Sequence, residues 1–211
     1  MLIEKQHIVQ WLAHCAKNLQ QEQEFLTDLD RDIGDADHGA HLNRGFTIIA
    51  QNLPKVERQN IATILKNVGV TLLYNVGGAS GPLYSTLFLR TAEAIGTREQ
   101  LSFEELIDSL KQGVDGVILR GKAKAGEKTM CDVWIPTIET AKLSIASGAD
   151  IHSLLDELVT TAEKSAVATI EMQASKGIAR HLGQQSIGHQ DPGATSSAII
   201  IKALVQALKG N

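Results

Sequence analysis

Apolar residues recur every three or four positions along most of the chain, which is the spacing of one face of an α-helix. The pattern begins at Ile8, pauses at a polar stretch around residues 34–39, and resumes up to Pro54. Comparable stripes follow to the end of the sequence, each separated by a short segment that contains glycine or proline. We predict about eight amphipathic helices, give or take one, and no strand or hairpin.

Several helix ends carry recognisable signals. Ser80 precedes an apolar stripe and has Pro82 two positions later, which is typical of an N-cap with proline in the first turn. Ser102 and Glu105 have the spacing of a capping box. Asp191 is followed directly by proline, which predicts another helix start. Short connections between amphipathic helices favour antiparallel neighbours. The expected fold class is all-α, with one domain spanning residues 1–211.

Composition and charge narrow the classes of function. The chain has 211 residues, 20 basic and 24 acidic, which gives a net charge of −4. A protein that binds nucleic acid by neutralising phosphates carries a basic excess, so we expect no nucleic-acid partner. No run of 18 apolar residues occurs and no signal peptide is visible, so we expect no membrane association. Two distant cysteines indicate a reducing, cytoplasmic location.

The most unusual polar segment is an acidic loop at residues 28–39. If Asp30 is taken as position one of an EF-hand loop, positions five and twelve are Gly34 and His41. An EF-hand needs acidic ligands at both positions, so a Ca²⁺ loop of that type is excluded. Mg²⁺ is held by a few carboxylates together with phosphates of a ligand, and this loop fits that pattern. The alternative is a solvated acidic turn that caps a helix. The five aspartates are Asp28, Asp30, Asp32, Asp35 and Asp37.

Three further loops bear on phosphate binding. Residues 75–82 are rich in glycine and enter a helix, an arrangement that lets backbone N–H groups approach an anion; an ordinary helix–helix turn is the alternative. Residues 116–123 have nearly the spacing of a P-loop, but Ala123 stands where serine or threonine is required, so that interpretation is rejected. Residues 186–194 lead into the last helix. Together with the acidic loop, these segments suggest a nucleotide-phosphate site with Mg²⁺.

Four segments together resemble one family. They are residues 30–39 (DRDIGDADHG), 77–82 (GGASGP), 126–134 (GEKTMCDVW) and 186–194 (SIGHQDPGA). Over its whole length the chain is similar to the ADP-binding L subunits of bacterial dihydroxyacetone kinases that are driven by the phosphoenolpyruvate phosphotransferase system. The resemblance implies a closed barrel of eight antiparallel helices with a nucleotide at one end.

The resemblance also implies roles for individual residues. Asp30, Asp35 and Asp37 correspond to the catalytic aspartates that bind two Mg²⁺ ions bridging to the ADP phosphates. A larger set corresponds to the surroundings of the nucleotide: His38, Gly39, His41, Asn43, Gly78, Ala79, Ser80, Gly121, Met130, Arg180, Asp191, Pro192 and Gly193.

The implied activity is phosphoryl transfer. ADP would stay bound as a cofactor, a phosphohistidine donor subunit would convert it to ATP, and the γ-phosphoryl group would pass to dihydroxyacetone held on a separate K subunit. A transcriptional regulator is a further candidate partner. Three alternatives remain open at this point: an L domain that exchanges free ATP, a regulatory module that holds ADP without catalysis, and a helical bundle whose acidic loop binds a cation adventitiously.

One departure from the family pattern concerns charge near the nucleotide. Relatives carry arginine after Lys-Gly, whereas this chain has Ile178 there and Arg180 two residues later. Arginine supplies a bidentate clamp for phosphate and stabilises transition-state charge, which isoleucine does not. Either Arg180 reaches the site or the site is weakened.

Overall fold

Helices account for almost all of the regular structure. A computed structural model describes residues 1–56 and 58–210, and this part of the chain contains nine α-helices. They are α1 (Lys5–Gln21), α2 (Gln23–Ile33), α3 (His38–Asn52), α4 (Ile61–Asn75), α5 (Ser80–Ile95), α6 (Phe103–Gly121), α7 (Cys131–Ala146), α8 (Ile151–Ala168) and α9 (Pro192–Lys209). Short 3₁₀ segments follow α3 and α8 and precede α9, at Leu53–Lys55, Thr169–Glu171 and Ala179–Ser186.

Eight of these helices close into a ring. Around the ring, α1 packs on α3, α3 on α4, α4 on α5, α5 on α6, α6 on α7, α7 on α8, α8 on α9, and α9 returns to α1. Helix α2 lies outside this order and packs on α3 and α9. The predicted all-α class and closed bundle are therefore confirmed, and α2 is the ninth helix.

One small element was not predicted. Strands β1 (Leu2–Glu4) and β2 (Gln100–Ser102) pair antiparallel, with Ile3 opposite Leu101. Both of these residues are fully buried. Each strand has three residues, which is too short for the two-residue alternation of a strand to be recognised in a sequence.

Aromatic rings fill the interior of the ring of helices. Trp11 of α1 and Phe88 of α5 have ring centroids 5.5 Å apart, and Phe46 of α3 lies 6.4 Å from Phe88. The Trp11 indole N–H donates to the Ile200 carbonyl across 3.0 Å, so its polar atom is satisfied inside the core. The apolar faces predicted for the helices therefore converge on one core.

Two of the three predicted N-caps are confirmed. Ser102 Oγ accepts from the Glu105 N–H at 3.1 Å, and the Glu105 carboxylate accepts from the Ser102 N–H at 2.7 Å. Asp191 Oδ2 accepts from the Ala194 N–H at 2.6 Å. The N-cap predicted at Ser80 is wrong, because Ser80 is the first residue of α5 and its side chain does not bond to that helix. Its hydroxyl is used in the candidate site described below.

Within residues 1–56 and 58–210, no helix has both the length and the hydropathy needed to cross a bilayer.

Candidate active site

The loops singled out in the sequence meet at one cleft of about 190 Å³. It is bounded by the α2–α3 loop, the loop before α5, the loop before α7, residues 176–179 and the start of α9. Most of the predicted site residues line it: Asp30, Asp35, Asp37, His38, His41, Gly78, Ala79, Ser80, Met130, Asp191, Pro192 and Gly193.

Four predicted residues lie outside this lining. A Cβ on Gly39 would meet the backbone of α2, so this glycine serves the close packing of α3 on α2. Asn43 donates to a glutamine side chain of α2. Gly121 ends α6 next to Leu83, which itself lines the cleft. Arg180 is exposed and does not border the cleft.

The acidic loop folds around the carboxylate of Asp30, which is 8% exposed at the end of α2. Asp30 Oδ2 accepts hydrogen bonds from the N–H groups of Asp37 at 2.9 Å and His38 at 3.1 Å. Gly34 allows the turn, because a Cβ there would lie 2.0 Å from Asp30 Oδ1. One oxygen from each of Asp30, Asp35 and Asp37 lies within 4.8 Å of the others, which is close enough for shared metal ions.

The three carboxylates repel one another. Burial raises the pKa of Asp30, and the adjacent Asp35 raises it further. Burial also raises the pKa of Asp37, where Asp35 and Asp30 add to the effect and His41 opposes it. His41 Nδ1 lies 3.1 Å from Asp37 Oδ1. A donor set made only of oxygens, with excess negative charge, fits a hard divalent cation such as Mg²⁺.

A neutral histidine connects the acidic loop to α5 and α9. His38 Nδ1 is 3.0 Å from Ser80 Oγ, and its Nε2 is 2.9 Å from Ser196 Oγ. Burial lowers the pKa of His38 to about 4, so the ring is uncharged near neutral pH. Tyr84 OH extends the network to Ser196 at 2.6 Å. His38 therefore fixes the position of Ser80; sequence reasoning missed Ser196 and Tyr84.

The glycine-rich segment before α5 brings a helix N-terminus to the cleft. Gly78, Ala79 and Ser80 line the cleft at the N-terminus of α5, and the positive end of a helix dipole favours phosphate. Gly78 has a φ of +62°, which favours glycine. Gly81 is also required, because a Cβ there would lie 2.1 Å from the Val76 carbonyl oxygen.

The position at which the resemblance implies an arginine is occupied by an apolar side chain. Ile178 lines the cleft and is 53% exposed, whereas Arg180 lies outside the lining. The arrangement therefore does not bring Arg180 into the cleft. Lys176 does border it and pairs loosely with Glu127, with Nζ 3.7 Å from Oε2.

Two opposite charges, Asp191 and Lys128, influence each other near the start of α9. Burial raises the pKa of Asp191 to about 7, while its hydrogen bond from Ala194 and the nearby charge of Lys128 oppose this rise. Lys128 is 2% exposed and also borders the cleft. Lys128 falls within residues 126–134, which contribute to the family resemblance, but no pattern in the sequence singles it out.

The raised pKa of Asp191 predicts a pH-dependent stability. An aspartate in the unfolded chain titrates near pH 4, whereas folded Asp191 holds its proton up to about pH 7. Between these values the folded state binds more protons, so stability falls as pH rises. Relative to the Asp191→Asn variant, the wild type should lose about 2–4 kcal/mol between pH 4.5 and pH 8. Denaturant unfolding at both pH values measures this.

Asp150 provides a control, because its pKa is shifted in the opposite direction to that of Asp191. It caps α8 at the surface, and its hydrogen bond from the Ser153 N–H lowers its pKa. Its contribution is present above pH 4 and is lost as pH falls through the folded pKa. The wild type should therefore gain stability relative to Asp150→Asn only as pH rises towards about 4, and the difference between the two should stay constant between pH 4.5 and pH 8. Equal pH profiles for Asp191→Asn and the wild type would contradict the assignment.

Sequence comparisons identify the family of this chain. The DAK2 domain matches residues 32–206. The chain belongs to the DAK2 domain family. It is 48% identical over 209 residues to the "PEP-dependent dihydroxyacetone kinase, ADP-binding subunit DhaL" of Escherichia coli, covering 99% of this chain and 100% of that one. It is 37% identical over 206 residues to a subunit of the same description from Listeria innocua, covering 98% of each. The resemblance to L subunits of dihydroxyacetone kinase is confirmed, and the family is one of phosphotransferases.

Solved structures support the fold. The dihydroxyacetone kinase of C. freundii in its native form has a TM-score of 0.74 and 23% identity, covering 94% of this chain and 34% of that one. The same kinase in complex with AMP-PNP and Mg²⁺ has a TM-score of 0.71 and 25% identity, covering 94% and 33%. This DAK2 protein thus spans about a third of those chains.

Proposed function

We propose that this chain is the nucleotide-carrying subunit of a phosphoenolpyruvate-dependent dihydroxyacetone kinase. The observation that carries the proposal is the cluster of Asp30, Asp35 and Asp37 beside the N-terminus of α5, in one cleft. This pairs an oxygen donor set for Mg²⁺ with an anion site for phosphate. The near full-length similarity to subunits described as ADP-binding supports ADP as the resident nucleotide.

Each part of the cleft has a distinct role in this proposal. Asp30, Asp35 and Asp37 hold two Mg²⁺ ions, whose chemistry is to neutralise charge on the phosphate oxygens. Gly78, Ala79 and Ser80 orient the phosphates at the end of α5. Asp30 is held for its role by two backbone N–H donors.

The remaining walls suit a nucleoside. Leu83, Met130 and Ile178 supply apolar surface to the cleft, which fits the face of an aromatic base. Asp191, Pro192 and Gly193 complete that side at the start of α9. Gly121 stays a candidate for the nucleotide surroundings through its contact with Leu83. Gly39 and Asn43, which were expected near the nucleotide, contact α2 and would act by positioning α3.

The chain's partners follow from the same proposal. The phosphoryl group comes from a phosphohistidine donor subunit and is delivered to dihydroxyacetone on a K subunit. In this reaction the present chain binds the nucleotide, orients its phosphates and neutralises their charge. It needs no general base of its own toward the triose. The similarity to subunits of multi-subunit kinases supports these partners.

One observation favours a second candidate. Ile178 in the cleft, with Arg180 outside it, removes a charge that would stabilise transfer. A regulatory subunit that holds ADP without full activity is consistent with this.

Reconstitution separates these two candidates from each other and from an L domain that exchanges free ATP. The chain is mixed with a K subunit and a phosphohistidine donor system, and dihydroxyacetone phosphate is measured with phosphoenolpyruvate as the donor. Product formation that depends on this chain and needs no added free ATP supports the kinase subunit. Retention of ADP with no product supports the regulatory subunit, and dependence on millimolar free ATP supports the exchanging type.

A further inference from the structure

Lys128 is buried at the centre of three loops, and its three ammonium protons are all engaged. Lys128 Nζ donates to the carbonyl oxygens of Thr169 at 2.6 Å and Met172 at 3.1 Å, and also to that of His189. A lysine ammonium has three donors and no acceptor. Lys128 is therefore satisfied within the protein and has no donor left for a ligand.

The three acceptors belong to segments that are distant in sequence. Thr169 begins the 3₁₀ segment that directly follows α8, and Met172 comes just after that segment. His189 lies in the loop before α9, 61 residues from Lys128. The carbonyls at the end of a helix carry partial negative charge, which a cation stabilises. Lys128 also has a φ of +60°, which is uncommon for a residue other than glycine.

Other hydrogen bonds tie the same segments together. The Asp191 N–H donates to Thr169 Oγ1 at 2.9 Å, and the Gly188 N–H donates to the Ile170 carbonyl at 2.8 Å. Lys128 thus lies where the loop before α7, the end of α8 and the loop before α9 meet. These loops provide Met130, residues 176–179 and the start of α9 to the cleft.

We propose that Lys128 is a positioning residue that holds the nucleoside side of the cleft in its binding geometry. The inference rests on the proposed function, because it concerns the same cleft. Lys128 does not act on the nucleotide itself, since its donors are used on the carbonyls of Thr169, Met172 and His189. The phosphate side, formed by the aspartates and the start of α5, does not depend on it.

The proposal is tested by comparing a ligand that needs both the nucleoside side and the phosphate side of the cleft with one that needs only the phosphate side. In Lys128→Met, we expect affinity for Mg·ADP to fall at least about tenfold, while affinity for magnesium pyrophosphate changes less than about threefold. Titration calorimetry measures both. Global destabilisation would lower the two affinities together, whereas loss of positioning lowers only the first. Lys124→Met is the matched control, because Lys124 is an exposed lysine of the same loop.

A second measurement needs no nucleotide. In Lys128→Met, amide hydrogen exchange should become at least about tenfold faster at residues 169–178 and 187–193, and stay unchanged in α4. If the wild type fails to bind Mg·ADP, the proposed function fails, yet the exchange result still tests Lys128. Should the methionine variant not fold, Lys128→Gln, which keeps two amide donors, takes its place. Wild-type ADP affinity and wild-type exchange in either variant would overturn the inference.

Discussion

Replacing Asp35 by asparagine is expected to weaken Mg·ADP binding by at least about 100-fold while leaving the fold intact. Loss of a residue that only supports a metal ligand already costs 10–100-fold in affinity, and Asp35 is assigned as a direct ligand. Its side chain is exposed in the structure, so the substitution removes no packing. Calorimetric titration of the nucleotide-free protein with ADP in the presence of Mg²⁺ measures the loss.

The Asp35→Asn variant should not lose thermal stability, although it loses nucleotide affinity. Asp35 raises the pKa of both Asp30 and Asp37, which shows that it repels them in the metal-free protein. Removing its charge should leave the thermal midpoint of the metal-free protein unchanged or slightly higher. Asp28→Asn is the control, because Asp28 is an exposed aspartate of α2 that pairs with Arg31. Equal loss of nucleotide affinity in the two variants would sink the assignment.

Restoring an arginine at position 178 is expected to raise the turnover of the reconstituted kinase by about 10–150-fold. A hydrogen bond to a charged group contributes about 1.5–3 kcal/mol, and 1.36 kcal/mol corresponds to a tenfold change in rate. Ile178 lines the cleft and is half exposed, so a longer side chain has room there. The gain should fall on kcat, because the charge being stabilised develops during transfer.

Arg180→Ala tests the alternative position for the positive charge. Arg180 lies outside the cleft, so its removal should change turnover by less than about twofold. Complete loss of activity in Arg180→Ala, with no gain in Ile178→Arg, would mean that Arg180 reaches the nucleotide in the working complex.

The parts of the fold that follow a local rule could be predicted. The α1 stripe of Ile8, Trp11 and Leu19 is fully buried, because a spacing of three or four places residues on one helix face. The acidic cluster could also be found, since Asp30, Asp35 and Asp37 lie within one short loop. Caps such as Ser102 depend on residues three positions apart and are equally visible.

The parts that were missed depend on contacts between distant segments. Tyr84 meets Ser196, 112 residues away, and no periodicity links the two positions. Lys128 looks like a solvated loop lysine until α8 and α9 bring their carbonyls to it. Ser80 was predicted as a cap because its local pattern fits one, whereas tertiary contact with His38 determines its actual role.

The nucleotide content of the purified protein is the most direct test of whether this cleft carries ADP. The protein is purified with Mg²⁺, dialysed extensively and denatured, and the released ADP and ATP are quantified by chromatography. We expect close to one ADP per chain, and a rise in thermal midpoint when Mg·ADP is returned to protein stripped with a chelator. Protein that carries no nucleotide and shows no thermal shift with Mg·ADP would contradict the assignment of this cleft.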